Sequence, residues 1–482
     1  MTQYQDVDTG EGIELRDTSK LLKNSVIYLL GNVLSKMLTF LMLPLYTKYI
    51  SPADYGYYDL ANTYVNLIAT VMCFEIWSTI MRYMLDREYR DIKAKPVTNG
   101  LTIYLGSTIL IVLIFIGVNS VLHLQYASLI LLYGISLCLH NLYGYIARGY
   151  GLNTLFAVSG VVSTLINASL NILLIIVLHV DYKSLYIAYI VSVVVQCLIL
   201  ESKVHLFGTV SINLFDRKLF FDMLKFTLPL CLNTGAFWFL TSYGKTVVST
   251  NLSVADNGYY SVASKFGLII QLVSSCFIAS WQELAFAKGK TAANDDYYEY
   301  MLGLFVKYLF VASCLILPCV FIVFPIMIDS QYSQAVNIVP MYLLATMLNA
   351  FSSFLTAIFG AIKKTKVLFT STLIGCLVNI ILVHILIGKI GIHAASVSMF
   401  FGFLVCVVIR IVILKKSIRL QLDMKRIACL YIPLLCISVA VYFTGSMLYN
   451  VILLVLLFVL SVYVCRDEVT QVISVVGKRR RM

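Results

Sequence analysis

Charge is scarce in this chain. Of its 482 residues only 12% are Asp, Glu, Lys or Arg, and 60% are hydrophobic. A mean hydropathy of +0.88 excludes a soluble domain, whose surface needs far more polar groups. Among the twelve cysteines there is no Cys-x-x-Cys pair, and none falls in an expected outward loop. They read as small buried apolar residues, which leaves no disulfide framework and no metal site. There is no Gly-x-x-x-x-Gly-Lys phosphate loop, so ATP hydrolysis within the chain is not expected and no cofactor is implied. No connection is long enough to house an extramembrane catalytic domain, which argues against an enzyme. The first twenty residues are polar and acidic and lack the pattern of a cleaved signal peptide, so the first apolar helix is expected to direct insertion with nothing removed.

What is present is a series of apolar runs near the length that crosses a bilayer. They predict an all-α polytopic membrane protein with about fourteen spans, at 24–46, 57–80, 98–118, 126–146, 156–178, 184–200, 227–248, 258–281, 302–325, 337–360, 367–387, 392–414, 428–445 and 448–465. The formal charge of +12 raises the question of a nucleic-acid partner, and its distribution answers it. Lysines and arginines gather before the first span and in the even connections, as in Arg82, Arg87, Arg90, Lys93 and Lys95, and in the tail Lys478-Arg479-Arg480-Arg481. The odd connections hold mainly Lys48, Lys183 and Lys389. By the positive-inside rule both termini and the even loops are cytoplasmic, and the excess charge is a topology signal with no bearing on nucleic acid.

The second half of the chain repeats the first. Ser51-Pro52-Ala53-Asp54-Tyr55-Gly56-Tyr57-Tyr58 returns as Ser253-Val254-Ala255-Asp256-Asn257-Gly258-Tyr259-Tyr260, and Ser163-Thr164-Leu165-Ile166 with Asn171 returns as Ser371-Thr372-Leu373-Ile374 with Asn379. A unit of roughly 200 residues has been duplicated. Each copy carries six spans, an even number, so the copies run parallel, and such halves are the usual ground plan of a transporter. The expected organisation is a cytoplasmic N-terminal segment 1–23, an N-lobe 24–205, a linker 206–225, a C-lobe 226–415, two further helices with their basic loop over 416–465, and a basic tail 466–482. Asp54 and Asp256 are read as helix-capping groups, and the Tyr57-Tyr58 and Tyr259-Tyr260 pairs as interface anchors.

Two segments carry a family resemblance. Asn24-Ser25-Val26-Ile27-Tyr28 through Leu43-Pro44-Leu45-Tyr46-Thr47-Lys48-Tyr49-Ile50-Ser51-Pro52-Ala53-Asp54-Tyr55-Gly56 resembles the first helix and turn of the polysaccharide transporters. Phe226-Thr227-Leu228-Pro229-Leu230 followed by Gly258-Tyr259-Tyr260-Ser261-Val262-Ala263-Ser264-Lys265 is similar to their seventh and eighth helices. That group includes the O-antigen flippases of the Wzx type and is related to the lipid II flippases and to the multidrug and toxin extrusion (MATE) antiporters. The resemblance implies two six-helix lobes of MATE-like fold around a cavity that alternates between the membrane sides. The implied cargo is a polyprenyl pyrophosphate bearing a sugar repeat of a surface polysaccharide such as O-antigen. It further implies an ion gradient of protons or sodium, residence in the cytoplasmic (inner) membrane among its lipids, and service to a polysaccharide polymerase and chain-length machinery.

Polar residues inside apolar spans mark candidate sites, because a mid-bilayer cation costs roughly 2.5 to 3.5 kcal/mol on insertion scales. Lys36 shares a helix face with Asn32 and Thr39 among others. Asn62 and Asn66 lie on a stripe with Asp59, Thr63 and Thr70; Thr241 and Lys245 lie on the seventh span; Ser261, Lys265 and Gln271 lie on the eighth. The lysines suit a diphosphate and the hydroxyls and amides suit a sugar. Each lysine has the alternative of pairing with a buried carboxylate or reaching an interface, and the latter is expected of Lys307 and Arg410. Glu75, the deepest carboxylate, is a candidate for ion coupling, or else a partner within the first lobe. His140 is a second coupling candidate, against a hydrogen-bonded packing role. Two other classes stay open: an ion-coupled exporter of small organic cations, which should carry an acidic cluster, and a membrane glycosyltransferase or polymerase, which should carry a sizeable outward loop.

Overall fold

The computed structural model describes residues 31, 33–89, 91–288, 295–417 and 424–464. Asn32, the segment 1–23 and the tail 466–482 lie outside the described residues. Among the described residues every regular element is helical. After a helix over 33–41 (α1) come α2 (Leu43–Tyr49), α3 (Pro52–Met72), α4 (Ile76–Met84), α5 (Ala94–Leu122), α6 (Ala127–Gly149), α7 (Asn153–Ile172), α8 (Lys183–Val204) and the short α9 (Leu206–Thr209). These are followed by α10 (Arg217–Thr241), α11 (Tyr243–Asn251), α12 (Val254–Lys288), α13 (Asp295–Met327), α14 (Val339–Ala361), α15 (Thr365–Ile390), α16 (His393–Ser417), α17 (Met424–Phe443) and α18 (Met447–Val464). Among the described residues nine helices are long and apolar enough to cross a membrane, or ten with α3 and α4 taken as one span bent by 47°. Every expected span from 57–80 onward overlies a helix, but two are interrupted: 57–80 becomes α3 and α4, and 227–248 becomes α10 and α11.

The described chain forms two compact units, one within Met1–Met42 and Ala61–Gly235, the other within Leu43–Leu60 and Ala236–Met482. In the first, α4 packs on α5 and α6, and α8 on α6 and α7. The core gathers Ile76, Trp77, Ile80 and Met84 of α4 with Val97, Leu142, Ile146, Leu200 and Met223. The linker is fixed to this unit by Asn99, fully buried, whose Nδ2 donates to Leu214 O (3.1 Å) and whose Oδ1 accepts from Asp216 N (2.9 Å).

The second unit is built on α12, α14, α15 and α16, with α13 carrying α17 and α18. Lipid is as apolar as leucine, so helices here associate through close packing. Trp281, Phe354 and Phe305 stack in turn at ring separations of 4.9 and 4.4 Å. Tyr260, expected as an interface anchor, is 1% exposed and packs edge-on against Tyr342, so the apolar body of its ring is spent on the core.

Both copies of the duplicated turn fall in this unit, and they interlock. Ser51 caps α3 by accepting the Asp54 N–H (3.2 Å) and donating to Asp54 Oδ2 (2.8 Å); Ser253 and Asp256 repeat this on α12 at 3.0 and 2.6 Å. The serine is thus the cap and the aspartate answers it from the first turn, with Pro52 at the first helical position, where no N–H is needed. Asn257 Nδ2 donates to Gly56 O (2.8 Å). A Cβ on Gly56 would overlap the Val254 carbonyl oxygen, and one on Gly258 that of Pro52. The glycine recurs because two backbones touch there. Gly56→Ala is therefore expected to destabilise the protein by about 1–3 kcal/mol through overpacking. Gly106→Ala, whose Cβ meets nothing within 4 Å, should leave the melting temperature unchanged in the same thermal-unfolding assay.

Candidate functional site

In the second unit the interruption of α10 sets up an ionic cluster. The helix stops at Thr241, turns at Ser242 (φ −124°, ψ −19°) and restarts as α11. Asn379 of α15, 1% exposed, donates to the Phe239 and Leu240 carbonyls at 3.0 and 3.1 Å, so the last turn of α10 keeps its hydrogen bonds without continuing. The restart brings Lys245 Nζ to 2.8 Å from Asp59 Oδ2, with side chains 14% and 4% exposed. The ammonium of Lys265 acts on the same carboxylate, and the fully buried Ser261 sits beside both Asp59 and Tyr55. Two candidate lysines and one candidate serine thus converge on an aspartate that the sequence places only in a polar stripe. Lys245 is the ion-pair partner of Asp59, and Lys265 is near enough to act on the same carboxylate. Thr241 bonds back to Phe237 O (3.0 Å), and Gln271 is half-buried on α12.

The first unit holds the remaining candidates. Tyr133 donates to Asn62 Oδ1 (2.5 Å), and Asn66 Nδ2 donates to the same oxygen (2.6 Å), giving a joined amide pair with Asn66 exposed. Lys36 is half-buried on α1; its neighbour Ser35 accepts from Thr164 (3.0 Å), and Thr39 donates to Ser35 O (2.9 Å). His140 Nδ1 lies 2.8 Å from Gln196 Oε1, bridging α6 and α8.

Glu75 sits at the break between α3 and α4. Phe74 (φ 54°) and Glu75 (φ 48°) are both left-handed, a costly state for side chains with a Cβ. The Glu75 N–H reaches back five residues to Thr70 O (3.0 Å). Three α10 side chains on one face hold the break open: Thr227 donates to Phe74 O, Cys231 to Val71 O (3.4 Å), and Thr234 to Glu75 Oε2 (2.9 Å). Glu75 is thereby met by a side chain of its own compact unit, from a helix that the sequence assigns to the C-lobe.

Arg410 corrects the expectation that it reaches an interface: it is 4% exposed. Its Nη1 donates to Ser352 O (2.7 Å), Ser352 Oγ (2.8 Å) and Thr356 Oγ1 (2.9 Å), its Nε to Ser371 Oγ (2.9 Å), and its Nη2 to Thr372 Oγ1 (3.0 Å) and Leu368 O (3.4 Å). These are neutral acceptors from α14 and α15, and the guanidinium of α16 clamps them. The repeated Ser-Thr pair is the only signal in the sequence that bears on this cage.

A family profile described as "Polysaccharide biosynthesis protein" matches residues 21–281. No curated protein matches the chain. Among solved structures, the lipid II flippase MurJ in its inward closed conformation is similar over 92% of this chain and 100% of its own, at 16% identity and a TM-score of 0.71. An inward-facing multidrug resistance MATE family transporter of the MOP superfamily is similar over 79% of this chain and 94% of its own (14% identity, TM-score 0.63). An outward-facing one is similar over 82% and 94% (17% identity, TM-score 0.56). At these identities the likeness establishes the fold alone, an all-helical polytopic one. The chain belongs to the polysaccharide biosynthesis protein family and is an integral membrane protein.

Proposed function

We propose that the protein is a flippase, moving a polyprenyl-pyrophosphate-linked oligosaccharide from the cytoplasmic to the outer leaflet of the cytoplasmic membrane by alternating access, without covalent chemistry. Both termini face the cytoplasm, and the cargo is the repeat unit of a surface polysaccharide such as O-antigen, passed on to a polymerase and its chain-length machinery. The observation that carries this reading is the gathering of two lysines about one buried carboxylate: Lys245 pairs with Asp59 and Lys265 lies near enough to act on it, which favours a diphosphate over an organic cation. Membership of a polysaccharide biosynthesis family supplies the sugar. The test is reconstitution in vesicles with two cargoes. The flippase reading requires movement of the lipid-linked oligosaccharide and none of a lipophilic organic cation; the reverse result would establish the exporter.

Lys36 is assigned to pyrophosphate binding, with Asn32, Thr39, Asn62, Asn66, Thr241, Ser261 and Gln271 offering donors to sugar and phosphate. Lys36→Ala is expected to slow transport by about tenfold, ~1.4 kcal/mol of transition-state binding. Expression should be normal and Lys36→Arg partly active; an alanine variant at full rate removes the assignment.

Coupling to a proton or sodium gradient is assigned to Glu75, because its carboxylate sits on a strained break whose geometry a bound cation alters through Thr234. Glu75→Gln keeps the Thr234 contact and lacks the charge, so flipping in the variant should lose its dependence on an imposed gradient. A variant that keeps the full dependence places coupling elsewhere, with His140 next to be tested.

A further inference from the structure

An open cavity of about 570 Å³ lies in the first unit where α4 ends and α5 and α10 begin, outside the residues assigned above. Three partly exposed rings form its apolar wall: Tyr83 stands edge-on to Phe226 (6.1 Å, 86°) and tilted against Tyr89 (6.2 Å, 51°). The Arg82 guanidinium lies 4.9 Å from the Phe226 ring centre and fixes that ring from one side. The exposed Glu88, Asp222 and Lys225 side chains also line it, with Glu88 beside Tyr89 and Asp222 near Tyr83.

An ion pair and two backbone bonds hold part of the lining in place. Lys95 Nζ lies 2.7 Å from Asp216 Oδ2, and Asp216 also accepts the N–H groups of Lys218 (2.9 Å) and Leu219 (3.2 Å). These bonds, the Lys95 one first, hold the Asp216 carboxyl below the usual carboxylate range. Among the lining residues Lys95 and Asp216 therefore cancel and Lys218 and Lys225 balance Glu88 and Asp222, with the Arg82 guanidinium set behind Phe226. A cavity with aromatic walls and carboxylates interleaved with ammonium groups is not built for a phosphate alone. It suits a polyhydroxylated ring, whose C–H face rests on the aromatics while its hydroxyls donate to carboxylates and accept from ammonium groups. The cavity opens at the ends of apolar helices, the level at which a lipid-borne head group lies, and on the side to which the basic loops assign the cytoplasm.

We propose that this cavity is a carbohydrate site that takes the glycan of the lipid-linked cargo before translocation. It deepens the flippase reading and rests on it for the cargo alone. One readout needs no transport: the purified full-length Tyr89→Trp protein in nanodiscs is titrated with the oligosaccharide released by mild acid from the lipid-linked pool of deletion cells. A saturable fluorescence change is expected, with none for inorganic pyrophosphate and with a half-saturating concentration about fivefold higher when Asp222→Asn is added. The second readout is vesicle transport. Asp222→Asn and Glu88→Gln, both at exposed positions, should raise the half-saturating concentration of the glycolipid about fivefold relative to that of the same polyprenyl pyrophosphate without sugar, with the maximal rate for the glycolipid retained. No saturable change, or an equal shift for both lipids, overturns the proposal. Saturable binding by a protein that moves neither lipid would sustain the carbohydrate site and sink the flippase reading instead.

Discussion

Asp59→Asn is expected to be among the most damaging single substitutions in the protein. Asp59 and Lys245 are paired at 2.8 Å with side chains 4% and 14% exposed, so loss of the carboxylate leaves the ammonium buried without its counter-charge. Breaking such a pair costs about 3–5 kcal/mol, whereas exchanging both partners for neutral groups is often close to neutral. The double variant Asp59→Asn with Lys245→Met should therefore recover the part of the lost thermal stability that the unpaired Lys245 costs, leaving only the share due to Lys265. It should still transport poorly, because Lys245 is gone from the proposed diphosphate site. Recovery of both stability and transport in the double variant would reduce the pair to a structural bridge.

Arg410 should give the second large effect, in an order that chemical conservatism does not suggest. Lysine keeps the charge but presents its donors at one point, and the six acceptor contacts spread over α14 and α15 need the planar fork of arginine. Arg410→Lys leaves a poorly bonded buried cation and should cost about 3–5 kcal/mol. In Arg410→Met the hydroxyls fall back on bonds they already make: Thr356 to Ser352 O (3.0 Å), and Ser371 and Thr372 to Leu368 O (3.1 and 2.8 Å). That variant should stay close to the wild type, because replacing a buried ionic group by an apolar side chain of similar volume is often neutral. Unfolding of both variants in matched nanodiscs checks the order, and a methionine variant less stable than the lysine variant would contradict it.

The helical architecture was legible in the sequence because membrane spans announce themselves through length and apolarity, and because duplication exposed the Ser-x-Ala-Asp-x-Gly turn. The same turn shows where reading along the chain stops. Its capping serines are local, at a spacing of three residues, but the reason for Gly56 and Gly258 is a backbone crossing between segments some two hundred residues apart. The interruptions at Cys73–Glu75 and at Ser242 had no signal either, since no proline or glycine stands at them; Thr227, Cys231 and Thr234 hold the first break and Asn379 the second, all from distant helices. For the site, Lys245, Lys265 and Ser261 stood out as polar residues in apolar spans, and the structure adds the aspartate they surround. Arg410 was misjudged because its position near a helix end suggested reach to water, when its hydroxyl cage comes from two other helices.

The central claim is vectorial movement of a glycolipid, and the most direct measurement is the side of the membrane on which that glycolipid resides. In cells lacking the protein, with no parallel flippase, lipid-linked oligosaccharide labelled by an impermeant sugar-directed reagent should be confined to the cytoplasmic leaflet. Wild-type protein supplied from a plasmid should restore outer-leaflet labelling, and Lys36→Ala should restore it only weakly. Equal outer-leaflet labelling with and without the protein would contradict the account.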